Sequence, residues 1–177
     1  FYNNNIYLIC NGEIYNHETL KNNYDIKTES NSDCEVILYM YQKLGFEETC
    51  RQLDGVFALI IYDSNTKKLY VGRDPYGVRP LFFGFNEYDD LFLSSELKGI
   101  HDLTIYKKQF KPGNLLEYDL TNKNLIYKNY YDFSFKIDKL RDNNIIMIGI
   151  KNRLINAVKK RLLSDRPIGS LLSGGLD

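Results

Sequence analysis

Ile168-Gly169-Ser170-Leu171-Leu172-Ser173-Gly174-Gly175-Leu176-Asp177 is the stretch on which the reading of this chain turns. Its apolar first half reads as a short buried strand. Its second half puts Ser-Gly-Gly where that strand ends. Glycines let a backbone approach oxyanions, successive N–H groups point inward, and a following helix adds its N-terminal dipole. The segment therefore predicts a pyrophosphate cradle, although an ordinary Gly-Gly turn would use the same residues. Upstream, Ile150, Leu154, Val158 and Leu162 recur at a four-residue spacing, which predicts a helix over Asn144 to Leu163. Lys159, Lys160 and Arg161 suit its C-terminal dipole, and Pro167 is expected to stop it. Helix, strand and phosphate loop in that order read as the first unit of a parallel α/β domain.

The residues before this unit follow another pattern. Ile6 to Cys10 is a near-continuous apolar run and reads as a buried strand, broken at Asn11-Gly12. Asn16, with Glu18 and Thr19 behind it, reads as a helix cap. Ser32 or Asp33 is expected to cap a second helix that carries Val36, Ile37, Met40 and Leu44 and ends at Gly45. Phe46 to Leu53 reads as a further short helix. From Gly55 the period changes to strands. Val56 to Tyr62 and Leu69 to Val71 form a hairpin around Asp63-Ser64-Asn65-Thr66. Leu81 to Phe85, Leu91 to Leu93, Leu115 to Tyr118 and Leu125 to Tyr127 follow, and the stretch between 86 and 142 is otherwise polar loop. Asp, Lys and Asn cluster at 128–143, the expected boundary between an α+β layered domain and the α/β unit.

With 177 residues, the chain makes one good-sized domain and the beginning of a second. Lys plus Arg (23) balances Asp plus Glu (23), which gives no support for nucleic-acid or membrane-surface binding. No apolar run is long enough to span a bilayer, and no secretory signal is present. Three cysteines, Cys10, Cys34 and Cys50, are too few and too irregular for a disulfide framework or a zinc site. They read as reduced thiols in a cytoplasmic protein. The chain begins at Phe1 within an apolar stretch and ends inside a loop, so a fragment of a longer protein is expected.

Two places carry groups suited to chemistry. Asn11 offers a side-chain amide and Gly12 a backbone N–H, side by side after a strand. Such a pair can serve as an oxyanion hole, or form a plain Asn-Gly turn. Asp33 at a helix start can bind a substrate ammonium or cap its own helix. Arg73 and Asp74, beside the Pro75-Tyr76-Gly77 turn, read as a structural ion pair that shapes the domain. His17 and His101 read as surface or capping residues, and Cys10 as a buried, inert thiol.

Taken together, Asn11 to His17 (NGEIYNH), Ser32 to Leu38 (SDCEVIL), Leu53 to Ala58 (LDGVFA), Gly72 to Leu81 (GRDPYGVRPL) and Asn156 to Asp177 (NAVKKRLLSDRPIGSLLSGGLD) resemble the glutamine-hydrolysing asparagine synthetases. The resemblance implies an N-terminal nucleophile glutaminase domain, an αββα sandwich of the class II amidotransferase type, over residues 1–135. It implies the start of an α/β ATP-pyrophosphatase domain over 143–177. The implied activity belongs to amino-acid biosynthesis: a carbon–nitrogen ligase that joins aspartate to ammonia from glutamine through an aspartyl adenylate. The implied oxyanion hole is Asn11 and Gly12, with Glu13 and Asp33 also on the glutamine, Asp33 at its α-ammonium. Leu172, Ser173, Gly174, Gly175, Leu176 and Asp177 are the implied ATP site, and Mg²⁺ is implied because phosphates need charge neutralisation. A homodimer is among the assemblies the family allows.

The resemblance also implies what to look for and not find. The family's nucleophile is an N-terminal cysteine whose free α-amino group serves as base, an upstream arginine segment holds the glutamine carboxylate, and neither is in these residues. The 177 residues alone are therefore expected to catalyse neither half-reaction. A phosphoribosylpyrophosphate-type amidotransferase would share GRDPYGVRPL but not SGGLD. A β-lactam synthetase-like enzyme would share SGGLD without needing Asn11, Gly12, Glu13 and Asp33. A non-catalytic paralogue that only binds glutamine would keep these four residues and lack the cysteine.

Overall fold

The structure is a computed structural model that describes residues 1–135, 142–164 and 166–175. It divides into two compact units, Phe1–Phe133 and Ser134–Asp177.

The first unit is two antiparallel sheets and a helical layer. β1 (Tyr2–Asn3), β2 (Ile6–Ile14), β3 (Gly55–Asp63), β4 (Lys68–Arg73), β8 (Asn114–Asp119) and β9 (Leu125–Asn129) form a six-stranded sheet in the order β1-β2-β3-β4-β8-β9. β5 (Phe82–Phe85), β6 (Leu91–Ser94) and β7 (Tyr106–Gln109) form a three-stranded sheet in the order β6-β5-β7. Between β2 and β3 run α1 (His17–Tyr24), α2 (Val36–Leu44) and α3 (Phe46–Gln52), with a 3₁₀ turn at Asp33–Glu35 leading into α2. Strand alternation sends Ile6, Leu8 and Ile14 of β2 to the helical side, where they meet Val36, Ile37 and Met40 of α2 and Phe57, Leu59 and Ile61 of β3. The opposite face of the sheet sends Ala58, Val71 and Leu116 against Leu81, Phe83 and Phe110. Each of these side chains other than Ala58 contributes roughly 1.5–3 kcal/mol on full burial. The result is helices, sheet and sheet in layers, and the second helical layer expected of the sandwich is not among the described elements of this unit.

Most expected elements are present, with instructive differences. Asn11-Gly12 does not end β2. The strand continues to Ile14, with Asn11 paired to Ala58 and Gly12 to Phe57. Gly12 is there because the strands crowd: an added Cβ would stand 2.2 Å from the Val56 carbonyl oxygen. β1 and β7 are additions. β7 reads as polar because it is Tyr-Lys-Lys-Gln, yet Lys108 lies 5.1 Å from the Phe83 ring centre and 5.2 Å from that of Tyr127. The turn after β3 is built as expected. Asp63 Oδ1 accepts from Asn65 N at 2.9 Å, and Oδ2 takes the Tyr41 hydroxyl at 2.8 Å. Gly45 ends α2 at φ 77°, as its freedom allows.

The second unit holds α4 (Asn143–Lys160), whose Asp142 cap accepts from Asn144 N at 2.7 Å. It ends before the expected Leu163 and well before Pro167; Arg161 Nη1 donates to the Ala157 carbonyl at 2.8 Å in its last turn. Residues 168–172 are not a strand. No strand of the described residues pairs with them, and Leu171 and Leu172 are fully exposed. An apolar run becomes a buried strand only when neighbours take up its backbone groups.

Candidate functional site

β2 has a closed edge and an open one. Along its length β3 holds the closed edge. On the other, Leu8 N donates to the Phe1 carbonyl at 2.9 Å and the Leu8 carbonyl accepts from the Phe1 amino group at 2.9 Å. Alternate residues of a strand direct their backbone groups to the same edge. Cys10, Gly12 and Ile14 therefore face this side too, and β1 ends before reaching them. Ile14 N is taken by Asp33 Oδ2 at 2.6 Å, and the Gly12 carbonyl lies 3.6 Å from the Cys34 thiol. The Gly12 N–H between these anchors has no strand facing it among the described residues. Beside it, the Asn11 side chain stands on the opposite, inter-sheet face. There it lines a cavity of about 250 Å³ with Ala58, Ile60, Pro80, Leu81 and Leu93.

Asp33 is not the helix cap that local sequence suggests. No side chain caps the 3₁₀ turn, and the carboxylate reaches across to β2 instead. The carboxylate also interacts with the adjacent Cys34 thiol. The turn that carries Asp33 is clamped by Glu35, which is buried. Its carboxylate accepts from Glu29 N and Ser30 N, both at 2.7 Å, and from the Ser30 hydroxyl. Burial pushes the Glu35 carboxyl up, but these bonds outweigh it and its pKa lies below the ordinary value. Sequence placed Glu35 beside Asp33 and gave no sign of this clamp, because its partners precede it in a loop.

Asn16 likewise caps nothing. Its amide donates to the Gln52 carbonyl at 2.9 Å and its oxygen accepts from Asp54 N at 3.0 Å, tying the end of β2 to the start of β3. Arg73 and Asp74 are both buried, and each bonds mainly to backbone rather than to the other. Arg73 donates to the carbonyls of Arg79 (2.7 Å), Phe110 (2.5 Å) and Gly77 (2.6 Å). Asp74 Oδ1 accepts from Tyr76 N at 2.9 Å and Val78 N at 3.2 Å; Oδ2 accepts from Phe57 N at 3.2 Å. The loop shapes the domain, as expected, but through this cage and not through an ion pair.

Glu13 is exposed on the same face as Asn11. The Cys34 and Cys50 thiols are poor nucleophiles. Neighbouring Cys10 and burial raise the Cys34 pKa, and burial raises that of Cys50. His17 Nδ1 lies 3.0 Å from the Ile14 carbonyl, and the His101 carbonyl accepts from Lys107. In the second unit Leu172, Ser173, Gly174 and Gly175 are exposed, Gly174 at φ 80°, with Gly175 N donating to Ser173 Oγ at 3.2 Å. Leu176 and Asp177 lie outside the described residues. Asn11, Gly12, Glu13 and Asp33 thus share the first unit, and the Ser-Gly-Gly loop belongs to the second.

Residues 2–154 match the family model of the glutamine amidotransferase domain. The chain belongs to that family. Residues 149–177 match a second model, asparagine synthase, so the amidotransferase domain here is followed by a stretch of synthetase character. Over 193 residues the chain is 39% identical to a probable glutamine-hydrolysing asparagine synthetase of Acanthamoeba polyphaga mimivirus, covering 99% of this chain and 35% of that protein. With the glutamine-hydrolysing asparagine synthetase of Rattus norvegicus it shares 39% over 199 residues, 97% of this chain and 34% of that one. It spans about a third of the length of these curated relatives. A glutamine phosphoribosylpyrophosphate amidotransferase from B. subtilis superposes with a TM-score of 0.63 at 23% identity, over 74% of this chain and 30% of that one. That likeness shows that the amidotransferase domain has the class II fold.

Proposed function

We propose that this chain supplies most of the glutamine-hydrolysing half, and the opening of the ATP-using half, of a cytoplasmic asparagine synthetase. The observation that carries the reading is the Gly12 N–H on the open edge of β2, with the Asn11 amide beside it and the Asp33 carboxylate anchored at Ile14 on the same edge. Hydrolysis of the glutamine side-chain amide passes through a tetrahedral intermediate whose oxygen carries negative charge. Two fixed donors, Gly12 N–H and the Asn11 amide, stabilise that charge more than they stabilise the ground state. The Asp33 carboxylate takes the α-ammonium, and Glu13 accepts a further donor of the same ligand. In the family the attacking thiol is an N-terminal cysteine; neighbouring Cys10 and burial push the Cys34 thiol up and burial pushes up that of Cys50, which makes both poor stand-ins for it.

In the second half, ATP and aspartate give an aspartyl adenylate and pyrophosphate. Ammonia then displaces AMP to leave asparagine. Leu172 to Asp177 are assigned to the ATP phosphates and residues 1–135 and 143–177 to the two domains. The Mg²⁺ that the phosphates call for finds no group of three His, Cys, Asp or Glu ligands among the described residues. No helix among them is long and apolar enough to cross a membrane. A homodimer is part of the proposal and is checked by sedimentation.

The full-length gene product, given glutamine, aspartate and ATP, is expected to form asparagine, AMP and pyrophosphate. Glutaminase activity with a different ammonia acceptor would refute the asparagine reading. The 177-residue chain alone is expected to release no ammonia from glutamine.

A further inference from the structure

Glu13 has a cationic neighbour that the reading above leaves unused. Arg79 Nη2 stands 3.8 Å from Glu13 Oε1, within charge attraction but beyond a hydrogen bond. Arg79 Nε is buried and has no hydrogen-bond partner among the described residues. The side chain is therefore held in place by what happens to its backbone. The Arg79 carbonyl accepts from Arg73 Nε at 2.7 Å, and Arg79 N lies 3.5 Å from Asp74 Oδ2. Pro80 then restricts the chain on the other side. Pro80 and Leu81 line the same cavity as Asn11. The cage of buried Arg73 and Asp74 thus delivers one guanidinium to the strand face that carries Asn11 and Glu13.

An ion pair this long and this exposed, 37% and 60% for the two side chains, does little for stability. It can still fix where a mobile carboxylate sits. We propose that Arg79 is a positioning residue of the glutamine site, holding the Glu13 carboxylate on the strand face that also carries Asn11. The inference rests on the reading of Asn11, Gly12, Glu13 and Asp33 as that site. It extends the site to the GRDPYGVRPL loop, where Arg73 and Asp74 hold the backbone.

The test is a double-substitution cycle in the full-length gene product, followed by glutamine-dependent kinetics and by thermal unfolding. Arg79→Gln is expected to raise KM for glutamine about tenfold with kcat little changed, the signature of lost binding in ground and transition states alike. The unfolding temperature stays within a few degrees. Arg79→Lys recovers part of the loss. In a Glu13→Gln background, Arg79→Gln adds nothing further, because the group it positions is no longer charged. Additive losses in the double variant, or an unchanged KM in Arg79→Gln, would overturn the inference. Asp33→Ala separates the two levels. A raised KM in Asp33→Ala with no effect of Arg79→Gln leaves the glutamine site standing and removes Arg79 from it. No effect of Asp33→Ala removes the site itself.

Discussion

Gly12 and Gly174 sit in the two stretches read as functional, and they are glycine for opposite reasons. Gly12 has extended backbone and no room: the neighbouring strand occupies the space where a side chain would go. Gly174 has room on every side and a φ of 80° that other residues resist. The first site is made by tertiary contact, since two strands, a 3₁₀ turn and a distant carboxylate must converge before a donor is left free on a sheet edge. The second is made by local backbone, so its motif is readable from five residues. The same difference explains the structures. Residues 6–14 and 33–35 are fixed by partners within the first unit, whereas 168–175 have no strand partner among the described residues and lie exposed.

Substitution at the two glycines breaks or sharpens this contrast most strongly. Gly12→Ala drives a methyl into the Val56 carbonyl and is expected to cost about 3 kcal/mol of stability, with glutamine turnover lost. Gly174→Ala meets only the positive φ and is expected to cost about 1 kcal/mol locally, leaving the unfolding of the first unit unchanged. Denaturant unfolding of both variants decides; equal, small effects would dissolve the contrast. Asn11→Ala is expected to lower kcat for glutamine roughly 100-fold with a lesser effect on KM, as for loss of one oxyanion donor. An unchanged kcat would end that assignment.

Much of the fold was legible because it is repetitive. The apolar run Ile6–Cys10, the 63–66 turn and the spacing of α2 all satisfy local rules that the core then uses. The site was legible in its residues and not in its contacts. Asn11-Gly12 looks like a turn because nothing local announces β3 pressing on it. Asp33 and Asn16 look like caps, the commonest local use of such residues, yet the backbone N–H groups they accept from lie 19 and 38 residues away. β7 was invisible because Lys108 counts as polar in sequence while its ammonium lies over aromatic rings.

A modest, pH-dependent effect concerns the clamp beneath Asp33. Glu35 has a folded pKa below its ordinary value, so its contribution is fully present above the unfolded carboxylate pKa and is lost as pH falls through the lower, folded one. Glu35→Gln is expected to cost about 1–2 kcal/mol at neutral pH, the loss of charge-assisted bonds to Glu29 and Ser30. The gap between wild type and variant should close as the solution is acidified below that range. Thermal unfolding against pH measures it, and a gap that stays constant would show that the charge of Glu35 plays no part.

The central proposal is that Asp33, anchored on the open edge of β2, serves the glutamine site and not ammonia-driven synthesis. The most direct measurement compares asparagine formation by Asp33→Ala in the full-length gene product from glutamine and from free ammonia. The account predicts glutamine-driven synthesis weakened by about 2–4 kcal/mol in apparent binding, with ammonia-driven synthesis intact. Equal damage to both would contradict it.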